Sequence, residues 1–233
     1  MKVSFVLPCY NPPADWDKNI LSKYGELSNK IPEPIELIIV QDGTGHATVE
    51  KEISLIKGNI PDLKVVAYSI NRGKGYAIRQ GVAIASGDII IYTDIDFPYC
   101  IESILDIYDC LKNDQADVAI GVKGASYYEH VPLLRKIISK YLRKLTKFFL
   151  SLPETDTQCG LKGFKKEVTP LFLNTKIDRY LFDLEFVRNS YKSKKYRIKT
   201  IPVVLNENIH FQKMNYRILF PEVVNFIKLI FVR

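Results

Sequence analysis

The regular alternation of short apolar runs with longer segments of mixed polarity constrains this chain more than any other feature of its sequence. Val3–Leu7, Ile35–Val40, Leu63–Tyr68 and Asp88–Thr93 read as buried strands. Asp15–Ser28, Thr48–Lys57, Lys74–Ala85 and Ile101–Lys112 follow them in turn, with the length and polarity of helices laid on a sheet. Strand followed by helix, repeated, predicts an α/β fold whose mostly parallel sheet is flanked by helices, since parallel neighbours need a crossover. A fifth strand is expected over Ala116–Gly121 and a basic helix over Pro132–Leu150. A strand over Leu161–Phe164, a helix over Leu181–Tyr191 and a strand over Ile198–Leu205 complete the pattern.

With 233 residues, 47% of them hydrophobic, the chain can bury one substantial core. It shows no internal repeat, low-complexity tract or Gly/Ser linker, so one domain is expected over 1–210, followed by an appendage over 211–233. In that appendage Lys213, Arg217, Lys228 and Arg233 are spaced among large apolar residues. Such a helix suits a bilayer surface, and it also suits a core cover or an oligomer contact. No run approaches the roughly 20 apolar residues that a membrane-spanning helix needs, and the apolar run after Lys2 stops at Pro8, too soon for a signal core. Cys9, Cys100, Cys110 and Cys159 are scattered, without zinc-ligand spacing or a disulfide framework. A cytoplasmic protein, peripheral on the cytosolic membrane face, is the expectation.

The polar residues at the ends of the predicted strands carry the chemistry. Tyr10 and Asn11, Asp42, Asn71, and Asp94 with Asp96 each follow a predicted strand. In an open α/β sheet, ligands bind in the crevice beyond the strands' carboxyl ends. Asn and Asp also serve as plain turn residues, but their recurrence after four successive strands favours a binding rim. Asp94 and Asp96 straddle the end of a fully apolar strand, where two unpaired carboxylates would repel each other. A hard divalent cation, Mg²⁺ or Mn²⁺, bridging them to phosphate oxygens removes that penalty. Upstream, Arg72 and Lys74 bring positive charge to a predicted helix N-terminus, and Gly73 and Gly75 permit close backbone approach there, a combination suited to a diphosphate. The loop is not a Walker A motif, because no Ser or Thr follows its Gly-Lys pair.

Pro8-Cys9-Tyr10-Asn11, Gln41-Asp42-Gly43-Thr44, Asn71-Arg72-Gly73-Lys74-Gly75, Thr93-Asp94-Ile95-Asp96 and Asp156-Thr157-Gln158-Cys159-Gly160-Leu161-Lys162 together resemble family 2 glycosyltransferases, in the family's order. Asp156-Thr157-Gln158-Cys159-Gly160 and Phe182-Asp183-Leu184-Glu185 are most similar to the dolichyl-phosphate glucose and dolichyl-phosphate mannose synthases. The resemblance implies a GT-A fold and an inverting transfer of a hexose from UDP-sugar or GDP-sugar to a polyprenyl phosphate. It places Asp42 at the base or ribose, Pro8, Tyr10, Asn11, Arg72, Gly73 and Lys74 on the donor side, and Asp94 and Asp96 at metal and diphosphate. Gln41 stands where the family commonly has an acidic residue, and Pro12 where the synthases often have Glu. Both departures lie on the nucleoside side and leave the base open.

An inverting transfer needs stabilisation of the departing diphosphate and a placed nucleophile. A phosphate monoester has a second pKa near 6, so it needs cationic clamps more than a general base. Arg135 and Ser139, four apart on the expected basic helix, share a face and match the synthases' spacing, with Lys123 where those enzymes have Arg. Asp156, Gln158, Asp183 and Glu185 are candidates for sugar hydroxyls or, if a base is required, for that task. A saccharide acceptor is the main alternative, and a non-catalytic nucleotide-binding module is another. The formal charge of +7 favours anionic partners, but no nucleic-acid motif is visible and none is expected to bind.

Overall fold

The structure, a computed structural model, describes residues 1–43, 47–124, 144, 146, 152, 159–206 and 219–231. Its strands are β1 (Val3–Cys9), β2 (Ile35–Asp42), β3 (Leu63–Tyr68), β4 (Ile89–Tyr92), β5 (Val118–Lys123), β6 (Lys162–Lys165) and β7 (Ile198–Val203). The helices among the described residues are α1 (Trp16–Lys30), α2 (Ala47–Asn59), α3 (Lys74–Ile84), α4 (Ile101–Lys112), α5 (Thr169–Leu173), α6 (Phe182–Ser193) and α7 (Leu219–Phe231). One sheet holds the strands in the order β3-β2-β1-β4-β6-β5-β7. β1 pairs in parallel with β2 and β4, β2 with β3, and β5 with β7, whereas β6 runs antiparallel to both β4 and β5.

Period-two alternation sorts the sheet's side chains into two cores. Val3, Phe5 and Leu7 of β1 join Leu37, Ile39, Ile89 and Ile91 beneath Trp16, Ile20, Ile56, Ile104 and Ile107 of α1, α2 and α4. Val6 joins Ile38, Val40, Ile90 and Tyr92 on the other face, against Ile78 of α3, Phe172 of α5, Phe182 and Phe186 of α6 and Leu229 of α7. Each such fully buried side chain contributes about 1.5–3 kcal/mol. β1 and β2 are covered on both faces and so are largely apolar along their length, while the edge strand β7 accommodates Pro202.

The amino-terminal edge of the sheet is tied together by Glu36, whose side chain is fully buried. Its carboxylate accepts hydrogen bonds from the Ser4 hydroxyl at 2.5 Å, from the Ser86 hydroxyl at 2.7 Å and from the Ser86 N–H at 2.9 Å, and pairs with Lys64 at 2.5 Å. Burial alone would raise this carboxyl, but hydrogen bonds from Lys64, Ser4 and Ser86 outweigh it and hold the group at about 2.

Each strand expected by residue pattern is present, most with an end shifted by one or two residues. α5 and the short 3-10 turn before it, Lys166–Val168, carry no sequence expectation, because neither is long enough to show a periodicity. Of the expected basic helix, only Lys144 and Thr146 fall among the described residues, and residues 211–218 of the appendage lie outside them. In α7, Leu229 is buried, Phe226 and Ile230 pack on the second core, and Val224 and Ile227 are exposed. No helix among the described residues is long and apolar enough to cross a membrane.

Candidate active site

Because β1, β2, β3 and β4 run in parallel, their carboxyl ends share one rim. Antiparallel β6 restores the same direction in β5, so Lys123 emerges there too. After β1 stand Tyr10, 57% exposed, and Asn11, whose φ of 46° marks a left-handed turn. Asp42 is the last residue of β2, Asn71–Gly73 link β3 to α3, and Asp94 and Asp96 lie just beyond β4.

Asp42 is buried and faces its own neighbours. One carboxylate oxygen accepts from the Arg72 N–H at 2.7 Å; the other accepts from the Gly73 N–H at 2.9 Å and the Asn71 amide at 3.0 Å. It therefore fixes the course of the β3–α3 loop. Gly73 has φ of 107°, and a Cβ there would lie 2.6 Å from the Asp178 carbonyl oxygen. A Cβ on Gly75 would meet Phe182 at 2.5 Å and the Ile177 carbonyl at 2.6 Å. The close approach that these glycines permit is thus to the segment leading into α6, and the Asp178 carbonyl also accepts from the Tyr76 N–H at 3.1 Å at the start of α3. At this helix start Asp42 takes the Gly73 N–H, and the Asp178 carbonyl takes the Tyr76 N–H. Arg72 remains exposed, its guanidinium stacked 3.9 Å from the Tyr76 ring centroid.

The charge that faces the rim comes from Lys74. Its ammonium pairs with Asp94 Oδ1 at 2.5 Å, with the Lys74 side chain 17% and the Asp94 side chain 38% exposed. Burial works against the ammonium, but the carboxylates of Asp94 and Asp183 raise it above the ordinary lysine value, so it is cationic at neutral pH. On the far side of Asp94, a Cβ on Gly160 would lie 2.6 Å from Oδ2 and 3.5 Å from Lys74 Nζ. The backbone turns sharply here: the Phe97 N–H donates to the Asp94 carbonyl at 3.0 Å, Phe97 has φ of 46°, and the Asn19 amide donates to the Asp96 carbonyl at 2.8 Å. Asp96 is exposed. Partial burial and the charge of Asp94 raise its carboxyl.

Asp94 and Asp96 are the described residues that could hold a hard divalent cation. Mg²⁺ characteristically takes one or two protein carboxylates and completes its shell with water and substrate phosphate. Gly160, where any side chain would crowd Asp94 Oδ2, keeps one such oxygen clear. Among the described residues no group of three or more His, Cys, Asp or Glu side chains forms a closed metal cage.

Behind the rim lies a buried polar bundle. Tyr92 donates to Asp183 Oδ1 at 2.7 Å, and Lys162, whose side chain is 0% exposed, donates to the same oxygen at 2.8 Å and to the Cys159 carbonyl. Tyr99 accepts from the Gly160 N–H at 2.9 Å and from Cys159 Sγ at 3.3 Å. Asp183 and Glu185 are both buried and diverge. Glu185 accepts from the Lys176 N–H at 2.8 and 3.0 Å and from the Ile177 N–H at 2.8 Å, and so secures the loop before α6. Sequence reasoning gave Lys162 no role beyond its place in the family motif, because in the run Lys162-Gly163-Phe164-Lys165 it resembles a solvent-facing lysine. Lys123 ends β5 two residues after Gly121, where a Cβ would lie 2.8 Å from Cys159 Sγ. Arg135, Ser139, Asp156 and Gln158 lie outside the described residues.

Residues 4–171 match the sequence profile of Glycosyl transferase family 2. The chain is 25% identical over 224 residues to a dolichyl-phosphate beta-glucosyltransferase of Saccharomyces cerevisiae, covering 88% of this chain and 67% of that protein. It is 32% identical over 176 residues to a dolichol-phosphate mannosyltransferase of Pyrococcus furiosus, covering 72% of this chain and 47% of that protein. Its fold resembles glucosyl-3-phosphoglycerate synthase from Mycobacterium tuberculosis in complex with Mn²⁺, UDP-glucose and phosphoglyceric acid, with a TM-score of 0.62 at 15% identity over 89% of this chain and 72% of the other. It also resembles a mannosyltransferase from Pyrobaculum calidifontis in complex with GDP-Man and Mn²⁺, with a TM-score of 0.59 at 18% identity over 96% of this chain and 64% of the other. The fold is that of the GT-A glycosyltransferases.

Proposed function

Since the chain belongs to glycosyl transferase family 2, we propose that it transfers a hexose, with inversion, from UDP-sugar or GDP-sugar to a polyprenyl phosphate. The observation that carries this reading is the arrangement at the end of β4: Lys74 paired with Asp94 at 2.5 Å, Asp96 two residues on, and Gly160 leaving Asp94 clear. Asp94 and Asp96 would hold Mg²⁺ or Mn²⁺, whose charge offsets that of the departing diphosphate. Lys74 supplies a fixed cation to the same leaving group. Asp42 orders the loop beneath it, and Pro8, Tyr10, Asn11 and Arg72 line the side assigned to the nucleoside.

In the transfer, an acceptor phosphate oxygen forms a bond to the anomeric carbon as the bond to the nucleoside diphosphate breaks on the opposite face. The disposition of the carboxylates supports a phosphate acceptor over a sugar hydroxyl. Glu185 is engaged by backbone N–H groups, and Asp183 Oδ1 by Tyr92 and Lys162, so neither is laid out as an unencumbered base. Lys123, Arg135 and Ser139 are assigned to the acceptor phosphate. The exposed Val224 and Ile227 of α7 support contact with a membrane surface, with the protein peripheral on the cytosolic face.

The test is a panel of UDP-sugars and GDP-sugars with Mg²⁺ or Mn²⁺, with and without polyprenyl phosphate in anionic vesicles. Sugar transfer to the lipid, and its loss in Asp94→Ala plus Asp96→Ala, are expected. Undiminished transfer in that double variant refutes the metal assignment, and transfer only to free saccharides refutes the lipid acceptor.

A further inference from the structure

Lys162 is placed where a lone ammonium would be heavily penalised: on β6, with a side chain that is 0% exposed. Its charge is balanced by Asp183 at 2.8 Å, a side chain 6% exposed, and it lies 5.8 Å from the centroid of the Tyr92 ring. Asp183 also stands close to Lys74: a Cβ on Gly75, next in the chain to Lys74, would lie 2.5 Å from Phe182, next to Asp183, so the negative charge of Asp183 bears on the Lys74 ammonium as well. Lys74 is therefore drawn two ways, toward Asp183 behind the rim and toward Asp94 in the cleft, where the contact is 2.5 Å. Lys162 also holds the Cys159 carbonyl, and so the turn that sets Gly160 against Asp94.

We propose that Lys162 is a positioning residue that neutralises Asp183, leaving the Lys74 ammonium to the Asp94 side of the cleft and to the diphosphate of the donor. The proposal rests on the donor-transfer reading above and deepens it. Lys162 touches neither reactant. It acts through the charge balance of the groups between it and the cleft. An uncovered Asp183 would compete for Lys74 and would repel the incoming diphosphate, whereas an uncovered Lys162 would do neither. The two partners of one ion pair thus have opposite expected effects on nucleotide affinity, which a merely structural pair would not show.

Isothermal titration of the full chain with UDP and with GDP, each in Mg²⁺ at fixed ionic strength, tests this. Lys162→Met, an apolar chain of similar length, is expected to weaken nucleotide binding about tenfold. Asp183→Asn, which keeps a hydrogen-bond acceptor but shifts the local charge the other way, is expected to bind no more weakly than the unaltered chain. The double variant is expected to return to within about threefold of the unaltered affinity. Equal weakening by both single variants, with further weakening in the double, overturns the proposal. Should Lys162→Met fail to fold, Asp183→Asn and the double variant still decide: weaker binding in either overturns it. If the unaltered chain binds neither nucleotide, the donor-transfer reading fails and this proposal falls with it. Nucleotide binding by the unaltered chain, combined with equal losses in the variants, removes the proposal alone.

Discussion

Replacing Gly160 by alanine tests the geometry of the cleft with the smallest possible change. The added Cβ would stand 2.6 Å from Asp94 Oδ2, and Cβ atoms essentially never approach another heavy atom within 3.0 Å, so the carboxylate must retreat by about 0.4 Å to reach the closest tolerated contact. Ordinary contact begins at 3.4 Å, which asks for about 0.8 Å. The atom that must yield is the end of a short side chain whose other oxygen pairs with Lys74 at 2.5 Å, so the movement disturbs that pair as well. A misplacement of about 1 Å at a reacting centre costs on the order of a hundredfold in rate, so Gly160→Ala is expected to lower kcat/KM about ten- to a hundredfold, or about 1.4–2.7 kcal/mol of barrier. Gly160 is absent from the positive-φ residues, so the fold itself is expected to tolerate alanine, with Tm lowered by only a few degrees. The assay is the initial rate of nucleoside diphosphate release across a Mg²⁺ titration, alongside a thermal melt. An unchanged kcat/KM with an unchanged melt would show that the position of Asp94 is immaterial, and the paired-carboxylate reading would fail.

The other predictions concern the framework. Glu36 is held at about 2, below the 4.5 of an ordinary glutamate, so its stabilisation is complete above about pH 4.5 and is lost as pH falls toward 2. Glu36→Gln is therefore expected to cost about 3 kcal/mol at neutral pH and to flatten the acid side of the stability curve, as measured by urea unfolding at pH 7 and pH 3. A variant curve parallel to that of the unaltered chain would contradict this. Glu185→Ala strands the buried N–H of Ile177 and the part-buried N–H of Lys176 and is expected to cost about 1–3 kcal/mol by the same denaturation measurement. Turnover per folded molecule in Glu185→Gln, measured at low temperature, is expected to persist, and its abolition would reinstate Glu185 as a base.

The strands were legible because β1, β2 and β4 are covered on both faces and so are predominantly apolar, Ser4 and Glu36 being buried exceptions that bond to each other. Their ends were less so. Pro8 reads as a stop, yet it pairs with Val40, and Gln41 and Asp42 continue β2 against Ala67 and Tyr68. The placement of Asp42, Asn71, Asp94 and Asp96 on one rim followed correctly from strand succession. What each side chain does there was not legible, because the partners are far away in the chain. The three donors to Asp42 lie about thirty residues downstream, and the space that Gly73 and Gly75 vacate is filled by residues 177–182. The direction of β6 likewise leaves no mark on residue pattern. Lys162 illustrates the same limit: within its strand it resembles a solvent-facing lysine, and only Asp183, which the fold brings alongside, makes it an interior one.

The reversed direction of β6 has an architectural consequence. β5 ends at the rim with Lys123, and the chain re-enters the sheet from that same edge through Cys159 and Gly160 beside Asp94. Because β6 runs against both of its neighbours, the end of β5 and the start of β6 meet at the mouth of the cleft, so a change at Lys123 and a change at Gly160 act on one and the same edge of the site.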